Sequence, residues 1–399
     1  MTVYAAVMTG KGTGAISTVQ VFGDSAEAIV KKIFTPAGTK PAKFKTGEIM
    51  LGKITDGNET IDQVTIGCEG PKTFAINCHG NPLIVADIMQ LLQRCGAKLL
   101  TAEQLLTKII SAQKPINTIA LEAKLAQMKA KTIQGTKIIT NQIEAGLSKK
   151  AAEWLRNIDA VSLKQISAEA ERILENSRTA KLIIAGCTVA LIGPPNSGKS
   201  TLLNYLAGRD KAIVTDIKGT TRDWVEAVCR IESLSLRLID TAGLDEKLPA
   251  PKDTIEKAAQ KKSVQILEQA DLVLLVLDNS QTSDQLDERL VEKIAEKLVL
   301  ICLNKSDLPA KFDTRKFIRR GGLPETLSNI VQISAKEGTG IEDLLEKIRE
   351  ITGVADFDLK TAVCFTDIQE NLLQQLTSAK SKQQATSIIT ELLNGRLRV

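Results

Sequence analysis

The segment GPPNSGKST, Gly193 to Thr201, constrains the fold of this chain more than any other. It follows the apolar run VALI and precedes TLLNYLAG, so a strand, a glycine-rich loop and a helix stand in succession. Glycines let backbone N–H groups wrap around phosphates, and a helix N-terminus favours their charge. Lys199 is expected to reach the β- and γ-phosphates, and the Ser200 hydroxyl to ligate Mg²⁺. Alone, the segment is also compatible with a chance glycine loop or an ATPase. From Cys187 onward, CTVALIG, LSLRLID, ADLVLLVLD, LVLICLNKSD and NIVQIS are apolar runs separated by helical stretches. That pattern predicts a parallel α/β domain ending near Gly353.

Three downstream segments narrow the ligand to a guanine nucleotide. In DTAGLDEK, Asp240 ends an apolar strand, where a carboxylate would hold Mg²⁺ through water, and Gly243 can offer its N–H to a γ-phosphate. NKSD, Asn304 to Asp307, follows LVLICL. The Asp307 carboxylate can accept from guanine N1–H and the 2-amino group together, which adenine cannot match. SAK, Ser334 to Lys336, follows another strand and can cover the base. Between GPPNSGKST and DTAGLDEK lies the polar stretch TDIKGTTRD, Thr215 to Asp223, placed for a switch loop, with Thr221 the candidate for closing on Mg²⁺. The expected GTP-binding set is therefore Asn196, Ser197, Gly198, Lys199, Ser200 and Thr201; Thr215, Asp216, Ile217, Lys218, Gly219, Thr220 and Thr221; Asp240, Thr241, Ala242 and Gly243; and Asn304, Lys305, Ser306, Asp307, Ser334, Ala335 and Lys336. One position raises a question. Switch proteins of the Ras type orient the attacking water with a Gln after this Gly, and here that residue is Leu244. Either GTP is bound without hydrolysis, or another group positions the water.

The rest of the chain has two textures. Residues 1–100 mix strand-like runs (AISTVQVFG, QVTIGCEG, TFAINCHG) with one helical run, PLIVADIMQLLQRCG, and read as a small α+β domain. Residues 101–180 are almost free of Gly and Pro, and their apolar residues recur at helical spacing; helix returns over 354–399. The expected architecture is thus an α/β P-loop domain, 181–353, inserted in an α-helical bundle and preceded by the α+β domain. The seven cysteines are scattered with no CxxC pair, and no run suggests a membrane span, so a reducing cytoplasm is expected. The net charge of +5 permits an RNA partner without requiring one. His79, the only histidine, reads as a hydrogen-bonded structural residue.

GPPNSGKST together with TDIKGTTRD and DTAGL resembles the MnmE (TrmE) family of tRNA modification GTPases. AAVMTGKGTGAISTVQVFG is similar to the opening of that family's N-terminal domain, and INCHGNP to its His-Gly segment. The resemblance implies a GTPase acting on wobble uridines, with G domains that dimerise face to face and K⁺ in place of an arginine finger. It implies Asn196, Thr215, Ile217 and Thr220 as K⁺ ligands. It also implies a water-positioning Glu beyond DTAGL, and DTIEK points to Glu256. Read by itself, without the resemblance, Glu256 is a solvated first-turn carboxylate favoured by the helix dipole. The implied partners are a second copy, tRNA and a flavoprotein of the MnmG type; the implied cofactors are Mg²⁺, K⁺ and a folate carrier.

The chain departs from the family pattern in its modification machinery. The family's C-terminal Cys-x-Gly-Lys motif has no counterpart in LLNGRLRV. Its Arg in the opening segment falls on Gln20, and the acid before its His-Gly segment falls on Ala75, so the charged groups a folate would want are not found. Three readings stay open: a K⁺-stimulated GTPase serving tRNA modification, with another subunit supplying the chemistry; a regulatory GTP switch, for example in ribosome assembly; and a non-hydrolysing scaffold.

Overall fold

The computed structural model describes residues 2–10, 12–38, 43–112, 117–208, 226–240, 266–285, 288–320 and 329–395. The chain forms two compact units, one up to residue 116 and one from Asn117 onward.

The first unit contains β1 (Val3–Val7), β2 (Ile16–Phe22), α1 (Ala26–Ile33), β3 (Phe34–Pro36), β4 (Ile49–Asp56), β5 (Glu59–Gly70), β6 (Thr73–His79), α2 (Pro82–Arg94), β7 (Ala97–Leu99) and α3 (Ala102–Ala112). Its sheet runs β3-β4-β5-β6-β2-β1-β7, antiparallel except for the β1–β7 pair. Alternation along β2, β5 and β6 sends Val19, Val21, Val64, Ile66, Phe74 and Ile76 to one buried face, where Val30, Ile88 and Leu92 of the helices meet them. The start of α2 is written in the sequence. Pro82 takes the first helical turn, and the Asn81 side chain accepts from the Leu83 N–H at 2.9 Å. Helix α3 lies with this unit, and Lys108 places its ammonium 4.6 Å over the Tyr4 ring of β1.

The second unit opens with α4 (Thr118–Gln127), α5 (Ile133–Glu144), α6 (Gly146–Arg156) and α7 (Leu163–Ala185). It continues with β8 (Cys187–Ile192), α8 (Lys199–Ala207), β9 (Glu226–Ile231), β10 (Leu234–Asp240), β11 (Leu272–Asp278), α9 (Glu288–Ile294), β12 (Val299–Asn304), α10 (Thr314–Arg320), β13 (Ile330–Gln332) and α11 (Ile341–Ile351). It closes with α12 (Asp367–Thr377) and α13 (Lys382–Asn394). The sheet order is β13-β12-β11-β8-β10-β9, parallel except for the β9–β10 hairpin. Every residue of β11 and β12 is buried, which is why both read as unbroken apolar runs. One face packs Leu202 and Leu206 of α8 and Leu344 and Ile348 of α11. The other packs Ile294 of α9 and Phe317 of α10.

The helices before and after the sheet share a core. Trp154 of α6 and Ile166 and Ile173 of α7 pack with Leu373 and Leu376 of α12 and Ile389 and Leu392 of α13. The chain passes from α7 to β8 through Gly186 alone, at φ 89°, and a Cβ there would meet the Ser235 carbonyl oxygen at 2.8 Å.

Candidate nucleotide site

The carboxyl ends of β8, β10, β11 and β12 point to one edge of the sheet, where ligands of open α/β folds gather. Between β8 and α8 the fingerprint loop is shaped by close approaches that only glycine tolerates. A Cβ on Gly193 (φ 149°) would stand 1.9 Å from the Val276 carbonyl oxygen, and one on Gly198 (φ 95°) 2.2 Å from the Asn304 amide nitrogen. Asn196 holds φ 63°, a left-handed conformation that Asn adopts more readily than most residues. Gly198 caps α8 without a side-chain hydrogen bond, leaving the first N–H groups of the helix for an anion. Lys199 Nζ donates to the Gly193 and Pro194 carbonyls at 2.6 and 3.0 Å.

Ser200 Oγ donates to Asp240 Oδ2 at 2.7 Å, joining the start of α8 to the end of β10. The other oxygen, Asp240 Oδ1, is buried with no hydrogen-bond partner among the described residues, as is Ser197 Oγ. A hydroxyl and an orphaned carboxylate oxygen side by side fit a hard divalent cation such as Mg²⁺. When bound, that ion would neutralise charge between the phosphates. Thr201 is exposed at the start of α8.

The base-reading loop is tied to the phosphate loop through Asn304. Its Nδ2 donates to the Ser197 carbonyl at 2.8 Å, and its Oδ1 accepts from the Ala335 N–H at 2.9 Å. One buried amide therefore bridges the loops after β8, β12 and β13. Ser306 N–H donates to the Ile333 carbonyl at 3.0 Å. Asp307 is exposed, and its Oδ1 accepts from Ser334 Oγ at 2.6 Å. The Ser334 hydroxyl, then the residue's own backbone N–H, hold the Asp307 carboxyl below the usual range, so it stands ionised, as an acceptor for two guanine donors must be. Ala335 is buried, while Lys336 is exposed and pairs with Glu337 at 3.4 Å.

Residues 2–104 match the family described as "GTP-binding protein TrmE N-terminus", and residues 188–305 the family described as "50S ribosome-binding GTPase". The tRNA modification GTPase MnmE of Enterococcus faecalis is 33% identical over 383 residues, covering 87% of this chain and 80% of that protein. The chain belongs to the MnmE family. The MnmE of Lactobacillus delbrueckii subsp. bulgaricus is 31% identical over 425 residues, covering 98% of this chain and 89% of that protein. Among solved structures, the G domain of the T. maritima FeoB iron transporter is 29% identical, covering 41% of this chain and 98% of that one, with a TM-score of 0.31.

The site thus brings together Asn196 to Thr201, Asp240, Asn304 to Asp307 and Ser334 to Lys336. Thr215, Asp216, Ile217, Lys218, Gly219, Thr220, Thr221, Thr241, Ala242, Gly243, Leu244 and Glu256 lie outside the described residues. At the two MnmE-family positions considered for folate, the Gln20 amide donates to Glu69 at 2.5 Å, and Ala75 is a buried methyl. Neither supplies a charge to a folate, so that group does not fit these positions. His79 is held as a structural residue would be: buried Asp62 accepts from its backbone N–H at 2.8 Å and pairs with its Nδ1 at 2.7 Å.

Sequence reasoning missed Asp278. It ends β11 and pairs with Lys305 Nζ at 2.7 Å. Burial works against its charge, but the Lys305 ammonium and the Ser280 hydroxyl and N–H outweigh it and hold the carboxyl below the usual range. The signal was present: LVLLVLD, like LRLID, is an apolar strand ending in Asp at the ligand edge.

Proposed function

We propose that this MnmE-family chain binds GTP with Mg²⁺, hydrolyses it to GDP and phosphate, and acts in tRNA modification. The observation that carries the GTP part is the convergence of three loops on one site, with Ser200 and Asp240 at the phosphate end and Asp307 at the base end. The tRNA part rests on the family, including the match over residues 2–104, which favours this reading over a ribosome-assembly switch.

Leu244 has no group that could orient a water. Hydrolysis therefore calls for a positioning group from elsewhere, and Glu256 is the candidate. K⁺ held by Asn196, Thr215, Ile217 and Thr220 would supply the positive charge that an arginine finger supplies in other GTPases. Asn196 supports this reading: its side chain is exposed on the rim of the phosphate loop. Two G domains meeting across their nucleotides would seal that cation in. The same reading makes the α/β part, 181–353, an insertion between the helices of 101–180 and 354–399, with 1–100 as a separate domain. It names a flavoprotein of the MnmG type and tRNA as partners in a cytoplasmic reaction.

GTP turnover in KCl against NaCl at equal ionic strength tests the cation mechanism. The expected result is a rise in turnover of at least ~10-fold in K⁺, lost in Asn196→Ala. Equal, slow turnover in both salts overturns it.

A further inference from the structure

We propose that Asp278 is a positioning residue for the nucleotide base, acting through Lys305. This rests on the reading of the site as a guanine-nucleotide site. Asp278 is fixed from every side. Its Oδ1 accepts from the Ser280 N–H and hydroxyl at 2.9 and 2.6 Å. Its backbone N–H donates to Gln285 Oε1 at 2.9 Å, and its carbonyl accepts from Gln285 Nε2 at 2.7 Å. The remaining oxygen, Oδ2, faces Lys305 Nζ at 2.7 Å. Lys305 starts from a left-handed backbone position, φ 62°, between Asn304, which is bound to the phosphate loop, and Asp307, which accepts from Ser334 of the loop after β13.

Two anchors therefore define the lysine. Its Cα sits in the base-reading loop, and its ammonium is pinned at the end of β11, the strand next to β8 and the phosphate loop. The stem must run between these points, from the base end of the site towards the phosphate end. A lysine stem is four methylenes carrying no polar atom, and held straight it offers an apolar shelf to one face of a planar base. Without the carboxylate, the stem samples many rotamers, and a base binding to it has to order it first. Asp278 makes no edge contact in this scheme. It sets how tightly a purine nucleotide is held, whereas Asp307 sets which purine is chosen.

The test measures GDP and xanthosine-diphosphate dissociation constants for the full chain and for Asp278→Asn, Lys305→Ala and the double variant. Asp278→Asn keeps the shape and the Ser280 and Gln285 contacts while removing the charge. It is expected to weaken GDP about 5- to 30-fold, mainly through faster release, with the GDP-to-xanthosine-diphosphate ratio unchanged. In the Lys305→Ala background the same substitution is expected to change GDP affinity less than 2-fold, because its effect passes through the lysine. An Asp278→Asn effect of the same size in both backgrounds overturns the proposal and makes Asp278 a brace for the loop. Unchanged GDP affinity in Asp278→Asn alone also overturns it. Failure of the unsubstituted chain to bind GDP would instead sink the guanine-nucleotide reading, so the two failures are distinguishable.

Discussion

The two ends of the second unit treat buried polar groups in opposite ways. In the helical seam, Gln142 is fully buried and uses its whole amide. Nε2 donates to the Ile138 and Thr361 carbonyls at 3.0 Å each, and Oε1 accepts from the Leu147 and Val363 N–H groups at 2.8 and 3.1 Å. Ser177 Oγ likewise accepts from the Cys364 N–H at 2.8 Å while donating to the Ile173 carbonyl. These bonds fasten the segment leaving the α/β sheet to the helices that precede it. At the nucleotide edge, Asp240 Oδ1 and Ser197 Oγ are buried without a hydrogen-bond partner among the described residues. Saturated polar groups mark a joint, and orphaned ones mark a place for a ligand. The same polar atoms thus specify a fixed junction at one end and a loadable site at the other.

Substitutions that separate binding from stability probe this contrast most strongly. Lys199→Ala is expected to lower affinity for GDP with Mg²⁺ by on the order of 10²-fold, because a charged donor to phosphate is lost. The melting temperature should change little, since the removed ammonium has two carbonyl acceptors at the open edge among its partners. Asp307→Asn is expected to cost GDP about 10²-fold and to gain xanthosine diphosphate, whose carbonyl an amide can donate to. Calorimetry with both nucleotides, paired with thermal unfolding, checks the two variants. A large loss of stability with either would break the contrast.

The converse experiment sits in the seam. Gln142→Leu keeps the size but strands the Leu147 and Val363 N–H groups in a buried place and the Thr361 carbonyl in a partly buried one. At about 1–3 kcal/mol for each stranded group, a loss of roughly 3 kcal/mol or more is expected, with GDP affinity of the folded protein unchanged. Denaturant unfolding followed through Trp154, which packs in the helical core, would read it. If Gln142→Leu altered GDP affinity as much as stability, the two ends would be one network.

These two regions also differ in how far the sequence discloses them. The nucleotide edge was legible because two of its strands are apolar runs ending in a polar residue within a fingerprint segment, Asp240 of DTAG and Asn304 of NKSD, whereas Asp278 ends such a run with no fingerprint around it and was passed over. The hairpin strand β9, EAVCRI, was not read from its pattern, since on an edge it alternates exposed and buried residues over only a short span. Helix α3 has the same apolar spacing as α4 to α7, so periodicity alone assigned it to the helical stretch, whereas Leu105 and Ile110 are buried within a helix of the first unit. Gln142, Ser177 and Glu122 left no trace at all. On a helical pattern a polar residue reads as surface, and only the partners from residues 361–369 show why each is buried.

Glu122 gives the smallest effect and the most discriminating one. It is buried on α4, and its Oε2 accepts from Gln369 Nε2 at 2.5 Å and Thr366 Oγ1 at 3.2 Å. Burial raises its pKa, and these two hydrogen bonds only partly oppose the rise. The folded state therefore holds the proton more tightly than the unfolded chain does. Its contribution to stability is fully present below the ordinary glutamate range, and is lost as pH rises from there through the raised folded value. Glu122→Gln keeps an acceptor for Gln369, can donate to Thr366, and cannot ionise. It is expected to match the unsubstituted protein near the bottom of that window and to exceed its stability by on the order of 1 kcal/mol above it. Denaturation midpoints taken across that window and well above it provide the check. A variant less stable at every pH would mean that Glu122 works as a charge in the seam, and that the joint, like the nucleotide edge, keeps an ionised carboxylate for a purpose.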